Sequence, residues 1–524
     1  MTTKNRRANA FVMRLGASLS ACLLVSSFAC KPKEEVAPPP DPVAEAAAKE
    51  AEDKDAEAKD RADKAAAQRA KLAALPPLPG ITAPSPVVFP TPTVTTLANG
   101  LEVIVLEDHE MPVVDISLVV KAGKIYAPAD QSKLAELTIG LLGEGTAKHS
   151  KADLDKLVDA TGGTKSERAD DEIVVLGADM LSRDLDLGVK VLAEMAMTPT
   201  FPEESMKKIK DLLIQEVSGQ KASPFGLALQ MSERVIYGDK SAYGRPFPTD
   251  EEINGLSRDQ VVAFHARHYH PGNALLVISG DVKPGKAAAL AKKHFGKWKA
   301  GEAIPQPRGE KQAASDKTVV HLIDRKASAQ ATIAVVTGAA AMGEAGYLDA
   351  KILQAALGGG LSGRLNQVLR EQLGLTYGVG AFHSSSFDGA MFFAGGSTKT
   401  KSAGEFTEAL LQLLKEPAQD GMPADELGRI QSKLSGKFAL EVEGVGVIAG
   451  KTITQRIFGL PADFWERYRT DIESATPEQI KATSSSLWGG PVQIIAIGNA
   501  SKLKDTLGSF GEVKVYDLDL KPKG

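Results

Sequence analysis

The sequence has few of the groups that several common kinds of protein chemistry need. It contains only two cysteines, Cys22 and Cys30, and both lie in its first thirty residues. The rest of the chain therefore offers no disulfide framework, no thiolate metal site and no cysteine nucleophile. The formal net charge of −4 gives no electrostatic basis for binding nucleic acid.

The start of the chain lacks an apolar run long enough to cross a bilayer, which takes about 20 residues. Residues 15–29 are apolar, follow four cations without an acid, and end at Ala29-Cys30. This order is typical of a secretion signal, and its end resembles a bacterial lipoprotein cleavage site. We predict a signal peptide over 1–29, lipid attachment at Cys30 and a membrane-anchored protein of the bacterial cell envelope. The alternatives are attachment at Cys22 or an ordinary signal peptide with incidental cysteines.

Residues 30–92 have almost no large apolar side chains until a proline-rich end. Ala, Glu, Lys and Asp dominate up to about Ala74, and seven prolines follow between Leu75 and Pro92. The first part cannot bury a core, so it is either disordered or a lone solvated helix, and the second part indicates an extended spacer. We predict a tether; a partner-binding coiled coil is the alternative, although the segment has no sustained apolar heptad.

The remaining sequence contains an internal repeat. A strand-like run that ends at Gly123 has a counterpart ending at Gly338, an offset of 215. Ser257–Val261 matches Thr476–Ile480 at an offset of 219. The segments around 209 and 430 and around 280 and 498 add two further matches in the same order. The sequence therefore predicts two homologous units, 93–300 and 318–524, joined by a linker over 301–317.

Each unit alternates β-branched runs with amphipathic helical stretches, such as residues 185–195 and 403–414. This pattern predicts an α+β fold made of two tandem α/β units, each with a sheet covered by helices on one side.

Three segments resemble one family of zinc peptidases, and the resemblance covers roughly 93–520. They are Asn99–Val105, Tyr269–Ala274 running into Gly280-Asp281-Val282, and Leu-Gly-Gly-Gly-Leu-Ser-Gly-Arg-Leu-Asn-Gln-Val-Leu-Arg-Glu-Gln-Leu-Gly-Leu-Thr-Tyr over 357–377. The sequence is similar in them to the pitrilysin, insulinase and mitochondrial-processing-peptidase family. The resemblance implies two peptidase-like repeats that form half of a clamshell.

Members of this family bind zinc through H-x-x-E-H on a helix, with a further glutamate from a later helix. The matching stretch here has Glu136 and Gly140 at the histidine positions and Ile139 at the position of the catalytic base. Glu216 stands about where the later glutamate would be. The resemblance therefore implies a degenerate zinc site, no metal or other cofactor in this chain, and zinc on a partner subunit.

Two other segments could suggest a site. His265, His268 and His270 are close in sequence, but they end a helix and have no acidic partner at ligand spacing, so we do not expect a metal there. Gly358–Gly360 indicates a turn; a phosphate-binding loop would need a Lys-Ser/Thr pair at Walker spacing.

The second unit keeps Arg370 and Tyr377, seven residues apart. In the resembling enzymes such a pair binds the substrate's backbone carbonyls and stabilises the oxyanion of the tetrahedral intermediate. A guanidinium fork and a phenol suit developing negative charge. The alternative is a surface arginine and a buried core tyrosine.

A lost metal site with an intact substrate motif implies the non-catalytic subunit of a two-chain peptidase. The expected partners are a homologous H-x-x-E-H zinc subunit, a peptide substrate and a membrane reached through the lipid. Alone, the chain is expected to be inactive. The alternatives are an inactive pseudopeptidase that serves as a structural or peptide-binding scaffold, and an independent hydrolase with a novel site.

Overall fold

The structure is a computed structural model that describes residues 89–308 and 315–523. The predicted signal peptide, Cys22, Cys30 and nearly all of the predicted tether lie outside these residues, so they stay predictions. Within the described part of the chain, no helix combines the length and the apolar character needed to cross a membrane.

Each unit is built around one six-stranded sheet. The strands of the first sheet are β1 (Thr93–Thr96), β2 (Glu102–Glu107), β3 (Val113–Val120), β4 (Thr164–Ala169), β5 (Val174–Leu181) and β6 (Ala274–Gly280). Those of the second are β7 (Val319–Asp324), β8 (Gln330–Ala339), β9 (Thr376–Ser386), β10 (Gly389–Lys399), β11 (Gln493–Gly498) and β12 (Glu512–Tyr516).

Five strands occupy equivalent places in the two sheets. The spatial orders are β1-β2-β6-β3-β5-β4 and β12-β7-β11-β8-β10-β9. β2 is parallel to β6 as β7 is to β11, whereas β3 and β8 are antiparallel to both of their neighbours. The outer strand differs, since β1 is antiparallel to β2 and β12 is parallel to β7. The shared order confirms the predicted fold of two tandem α/β units.

Helices connect the strands in both units. Those of the first unit are α1 (Leu134–Leu142), α2 (Lys151–Asp159), α3 (Leu185–Met197), α4 (Glu203–Ala222), α5 (Pro224–Tyr237), α6 (Asp250–Gly255), α7 (Arg258–His268) and α8 (Pro284–Phe295). Those of the second are α9 (Tyr347–Gly358), α10 (Ala403–Gln419), α11 (Ala424–Glu441), α12 (Val445–Phe458), α13 (Phe464–Glu473), α14 (Pro477–Trp488) and α15 (Ala500–Gly508). Short 3₁₀ turns lie at Lys124–Tyr126, Ala129–Gln131, Ser182–Asp184, Pro271–Asn273 and Thr400–Ser402, and a π-helical turn at Asn366–Gln372.

One of the repeated sequence matches is a helix start. Ser257 caps α7 by accepting a hydrogen bond from the backbone N–H of Gln260, whose side chain accepts one from the Ser257 N–H. Thr476 and Gln479 form the same capping box at α14. These reciprocal bonds satisfy backbone donors that a helix start otherwise leaves unpaired, which explains why both units carry this pattern.

Each unit sends a helix onto the sheet of the other. α5 of the first unit contacts β8 and β11 of the second sheet, and Met231 shares an apolar cluster with Val336. α12 of the second unit contacts β2 and β6, and Ile448 clusters with Val277. The prediction of helices on only one side of each sheet is therefore wrong. Strands such as β2 are apolar on both faces, and the helix that buries the second face comes from the other unit.

Candidate functional site

The degenerate metal positions lie on α1, which is buried along most of its length. Ile139, at the position of the catalytic base, is buried in the apolar core of the first unit. At Gly140, an added Cβ would lie 3.3 Å from Cγ2 of Ile209 on α4, so a larger side chain would press on that helix. Packing between α1 and α4 thus occupies the space next to Gly140, and the apolar core surrounds Ile139.

An ammonium group lies between the two remaining carboxylates. Nζ of Lys133 is 3.0 Å from Oε1 of Glu136 and 3.6 Å from Oε1 of Glu216. The Gln220 side chain also donates to Glu216, at 3.2 Å. The structure therefore brings Glu136 and Glu216 together, with a lysine cation bridging them.

A cavity of about 350 Å³ opens beside this ion cluster, and its lining includes Glu136, Asp171, Glu233, Tyr243 and Arg245. Burial raises the pKa of Glu233 to about 8, and the nearby Asp171 carboxylate adds to the rise. Glu233 has no hydrogen bond to any described residue, so only the charge of Lys124 opposes this rise.

A second partly buried carboxyl lies next to the cavity wall. Burial raises the pKa of Glu172 to about 7, although the Tyr243 hydroxyl donates to it at 2.7 Å and opposes the rise. The same hydroxyl accepts a hydrogen bond from the backbone N–H of Phe387 in the second unit. The cavity is thus rich in acids, and its wall links the two units.

The three neighbouring histidines point to different surroundings. His265 bonds to the carbonyl of Ala196 at 2.9 Å, whereas His268 packs between Tyr126 and Phe264. Burial lowers the pKa of His268 to about 4. Across residues 89–308 and 315–523, no group of three or more His, Cys, Asp or Glu side chains is arranged to hold a metal ion.

The second unit holds its family motif in a tightly bonded turn. Gly358 lies so close to β9 that an added Cβ would be 2.1 Å from the Ala381 nitrogen. The Asn366 amide donates to the carbonyls of Gly360 (3.1 Å) and Val379 (2.7 Å), and its oxygen accepts from the Val379 N–H (3.3 Å). Asn366 therefore fastens the glycine turn to the outer strand of the sheet.

Arg370 and Tyr377 follow this turn and both reach solvent. The Tyr377 residue is 88% exposed, and its hydroxyl makes no hydrogen bond to any described residue. The Arg370 side chain is 38% exposed and pairs with its neighbour Glu371 at 3.2 Å. The backbone around Tyr377 is nevertheless fixed, because the Thr376 hydroxyl donates to the carbonyl of Ser397 and that of Thr398 to Leu375.

An apolar groove of about 380 Å³ runs beside Tyr377. Phe225 of α5 and Phe393 of β10 form its walls, and Gly378 and Gly380 of β9 form part of its floor. An added Cβ at either glycine would meet no atom within 4 Å, so the floor is open. The groove has room for a peptide side chain next to the tyrosine.

One chain does not bring its two candidate regions into one cavity. The lining of the cavity at Glu136 includes neither Arg370 nor Tyr377. Within the described part of the chain, Arg370 and Tyr377 do not hydrogen-bond to each other either. Sequence reasoning missed Lys133 and Asn366. A cation three residues before Glu136 was a local signal for the first. Asn366 lies inside the quoted motif, but its role depends on where β9 runs.

Two family descriptions match the chain. "Insulinase (Peptidase family M16)" matches residues 102–238, and "Peptidase M16 inactive domain" matches residues 255–434. Together they cover more than half of the sequence. The chain belongs to the M16 peptidase family.

Relatives and solved structures agree with this M16 assignment. An uncharacterised zinc protease of Streptomyces coelicolor is 26% identical, over 70% of this chain and 82% of its own length. One of Bacillus subtilis is 23% identical, over 66% and 84%. An M16 inactive domain from Pseudomonas fluorescens has a TM-score of 0.70 at 24% identity, covering 78% of this chain and 98% of its own. A protease from Helicobacter pylori has a TM-score of 0.71 at 18% identity, covering 78% and 99%.

The zinc that the names of these M16 relatives imply does not fit the residues present here. Zinc in proteins takes nitrogen, sulfur and carboxylate ligands in a tetrahedral set. The M16 positions of this chain offer two carboxylates, already bonded to Lys133, together with Ile139 and Gly140. We therefore derive no metal-dependent step for this chain.

Proposed function

We propose that this chain is the substrate-binding, non-zinc subunit of a heterodimeric M16 zinc endopeptidase that processes peptides in the cell envelope. The observation that carries the proposal is the exposure of Arg370, in the π-helical turn, and of Tyr377, at the start of β9. The metal positions of the same chain hold Glu136, Ile139 and Gly140. A guanidinium and a phenol without strong internal partners can meet a peptide carbonyl, or the oxyanion formed from it.

The arrangement of the two regions supports a partner chain. Because the cavity at Glu136 does not include Tyr377, the pair has no metal position of its own chain to act on. A homologous subunit with an intact H-x-x-E-H would supply zinc and the base, while this chain supplies the two donors. The groove beside Tyr377 would then hold a side chain of the same peptide.

Reconstitution tests this proposal. The chain is purified alone, mixed with an H-x-x-E-H homologue from the same genome, and assayed with a fluorogenic peptide library. We expect neither chain to cleave alone, and the mixture to cleave and to elute as a one-to-one complex. Cleavage by this chain alone, or a homologue that is equally active alone, would contradict the proposal. A complex that forms without activity would favour the scaffold function instead.

The proposed location rests on Cys30. Cys30→Ser is expected to move the protein from the membrane fraction to the soluble fraction, because a single cysteine carries the predicted lipid. Cys22→Ser is the matched control and should leave the protein in the membrane. Membrane retention of the Cys30 variant, with release of the Cys22 variant, would place the attachment at Cys22.

A further inference from the structure

Lys133 is a lysine whose charge is turned inward, between two helices of the first unit. It lies immediately before α1, and only 10% of its side chain and 10% of that of Glu136 are exposed. Its ammonium reaches one oxygen of Glu136 and one of Glu216, which is half-exposed on α4. One cation thus joins the two helices that carry the degenerate metal positions.

The two carboxylates need a cation at this place. Like charges held close together repel, and a buried carboxylate without a partner is costly. The second oxygen of Glu136 is buried and has no hydrogen-bond partner among the described residues, so Lys133 carries most of its compensation. Lys124 binds Asp171 at 3.4 Å, and both Lys124 and Arg245 act on Glu136 only through space.

We propose that the Lys133 ammonium has taken over the structural place of the metal. It is an internal cation that fastens α1 to α4 and occupies the place between Glu136 and Glu216 that a divalent ion would need. The first unit then keeps its fold without metal. The proposal concerns this chain alone, so its test is independent of the proposed function.

The test removes the charge and keeps most of the length of the side chain. Lys133→Met should lower the ratio of folded to unfolded protein by about 100- to 1000-fold in urea unfolding, as expected for breaking a buried pair. The freed carboxylates should then bind Mn²⁺, an ion that prefers oxygen ligands, and Mn²⁺ should restore part of the loss. Calorimetry should detect this binding in the variant and none in the wild type.

Lys165→Met is the matched control. The Lys165 side chain is similarly buried, at 12% exposed, and pairs with Asp155 and Glu167 without joining α4. It should lose stability without gaining Mn²⁺ binding. The double variant Lys133→Met/Glu136→Gln should recover much of the stability and bind no Mn²⁺, because it leaves one carboxylate instead of two.

Three outcomes would overturn the proposal. These are a Lys133→Met variant as stable as the wild type, stoichiometric Mn²⁺ or Zn²⁺ binding by the wild type, and a double variant that is no more stable than Lys133→Met. The last result would assign the lysine a packing role rather than a charge role. If Lys133→Met does not fold, the double variant alone decides between these roles.

Discussion

At the start of α1, Lys133 and Glu136 turn their charges toward each other and expose only 10% of each side chain. At the start of β9, Tyr377 exposes 88% of its surface, and its hydroxyl meets no described residue. Both positions belong to family motifs, one in each unit. In the first unit the charges of Lys133 and Glu136 pair inside the chain, whereas in the second unit the Tyr377 hydroxyl makes no hydrogen bond to any described residue.

The difference shows where function can remain. A site whose charges already form ion pairs within the chain binds a charged ligand poorly, because the ligand must first break those ion pairs. A donor held in place without a partner loses little on binding, because its ordering cost is already met by the fold. The turn bonded by Asn366, the hydroxyl of Thr376 next to Tyr377, and the hydroxyl of Thr398 on β10 provide this order.

The largest expected effect is on catalysis, and it concerns the exposed Tyr377. In the reconstituted pair, Tyr377→Phe should lower kcat roughly 100- to 1000-fold, or about 3–4 kcal/mol, because one oxyanion donor is lost. KM should change less, since the interaction strengthens in the transition state. Turnover is measured with a fluorogenic peptide, after melting and co-elution confirm folding and assembly.

Tyr347→Phe is the matched control for that prediction. Tyr347 is a buried tyrosine on α9, so the same chemical change is made away from the exposed turn. If Tyr377→Phe leaves the turnover of an active pair unchanged, the proposal of a substrate-binding subunit is wrong, and the exposure of Tyr377 has no explanation.

A smaller effect, on stability, is expected when the hydrogen bonds of Asn366 to the glycine turn and β9 are removed. Asn366→Ala removes three hydrogen bonds and leaves the buried Val379 N–H and C=O without these partners, so we expect a loss of about 2–3 kcal/mol. Urea unfolding measures it. Asn499→Ala, which removes an exposed helix cap and a hydrogen bond to the Lys326 carbonyl, should cost about 1 kcal/mol. Equal losses in the two variants would mean that the turn is no more rigid than a surface cap.

Much of the fold could be predicted from the sequence, and less of the site. The offset between Gln260 and Gln479 survived because both glutamines close capping boxes, and such local bonds leave a readable pattern. The packing of α5 and α12, each on the sheet of the other unit, could not be predicted, because it depends on which apolar faces come into contact. The bridge from Lys133 to Glu216 needs the packing of α1 on α4, which no local pattern encodes.

The smallest expected effect is a change in the pH dependence of stability, and it concerns Glu233 in the cavity beside Glu136. Its pKa is about 8 in the folded protein and about 4.3 in an unfolded chain. Between these values the folded state holds a proton that the unfolded state has released. Wild-type stability should therefore fall as the pH rises from about 4 to about 8, and Glu172 contributes in the same direction. Glu233→Gln removes the first contribution and keeps the second.

The variant should therefore lose less stability than the wild type over this range, and gain on the order of 2 kcal/mol relative to it between pH 5 and pH 9. This is less than the full pKa shift would give, because water can enter a cavity of about 350 Å³. Urea unfolding at several pH values measures it, and Glu251→Gln, at an exposed glutamate of α6, controls for the change in net charge. If the Glu233 and Glu251 variants follow parallel pH profiles, Glu233 titrates like a surface acid. The region around the degenerate metal positions would then be open to water, as Tyr377 is. The contrast between the buried ion pair of the first unit and the exposed tyrosine of the second would no longer hold.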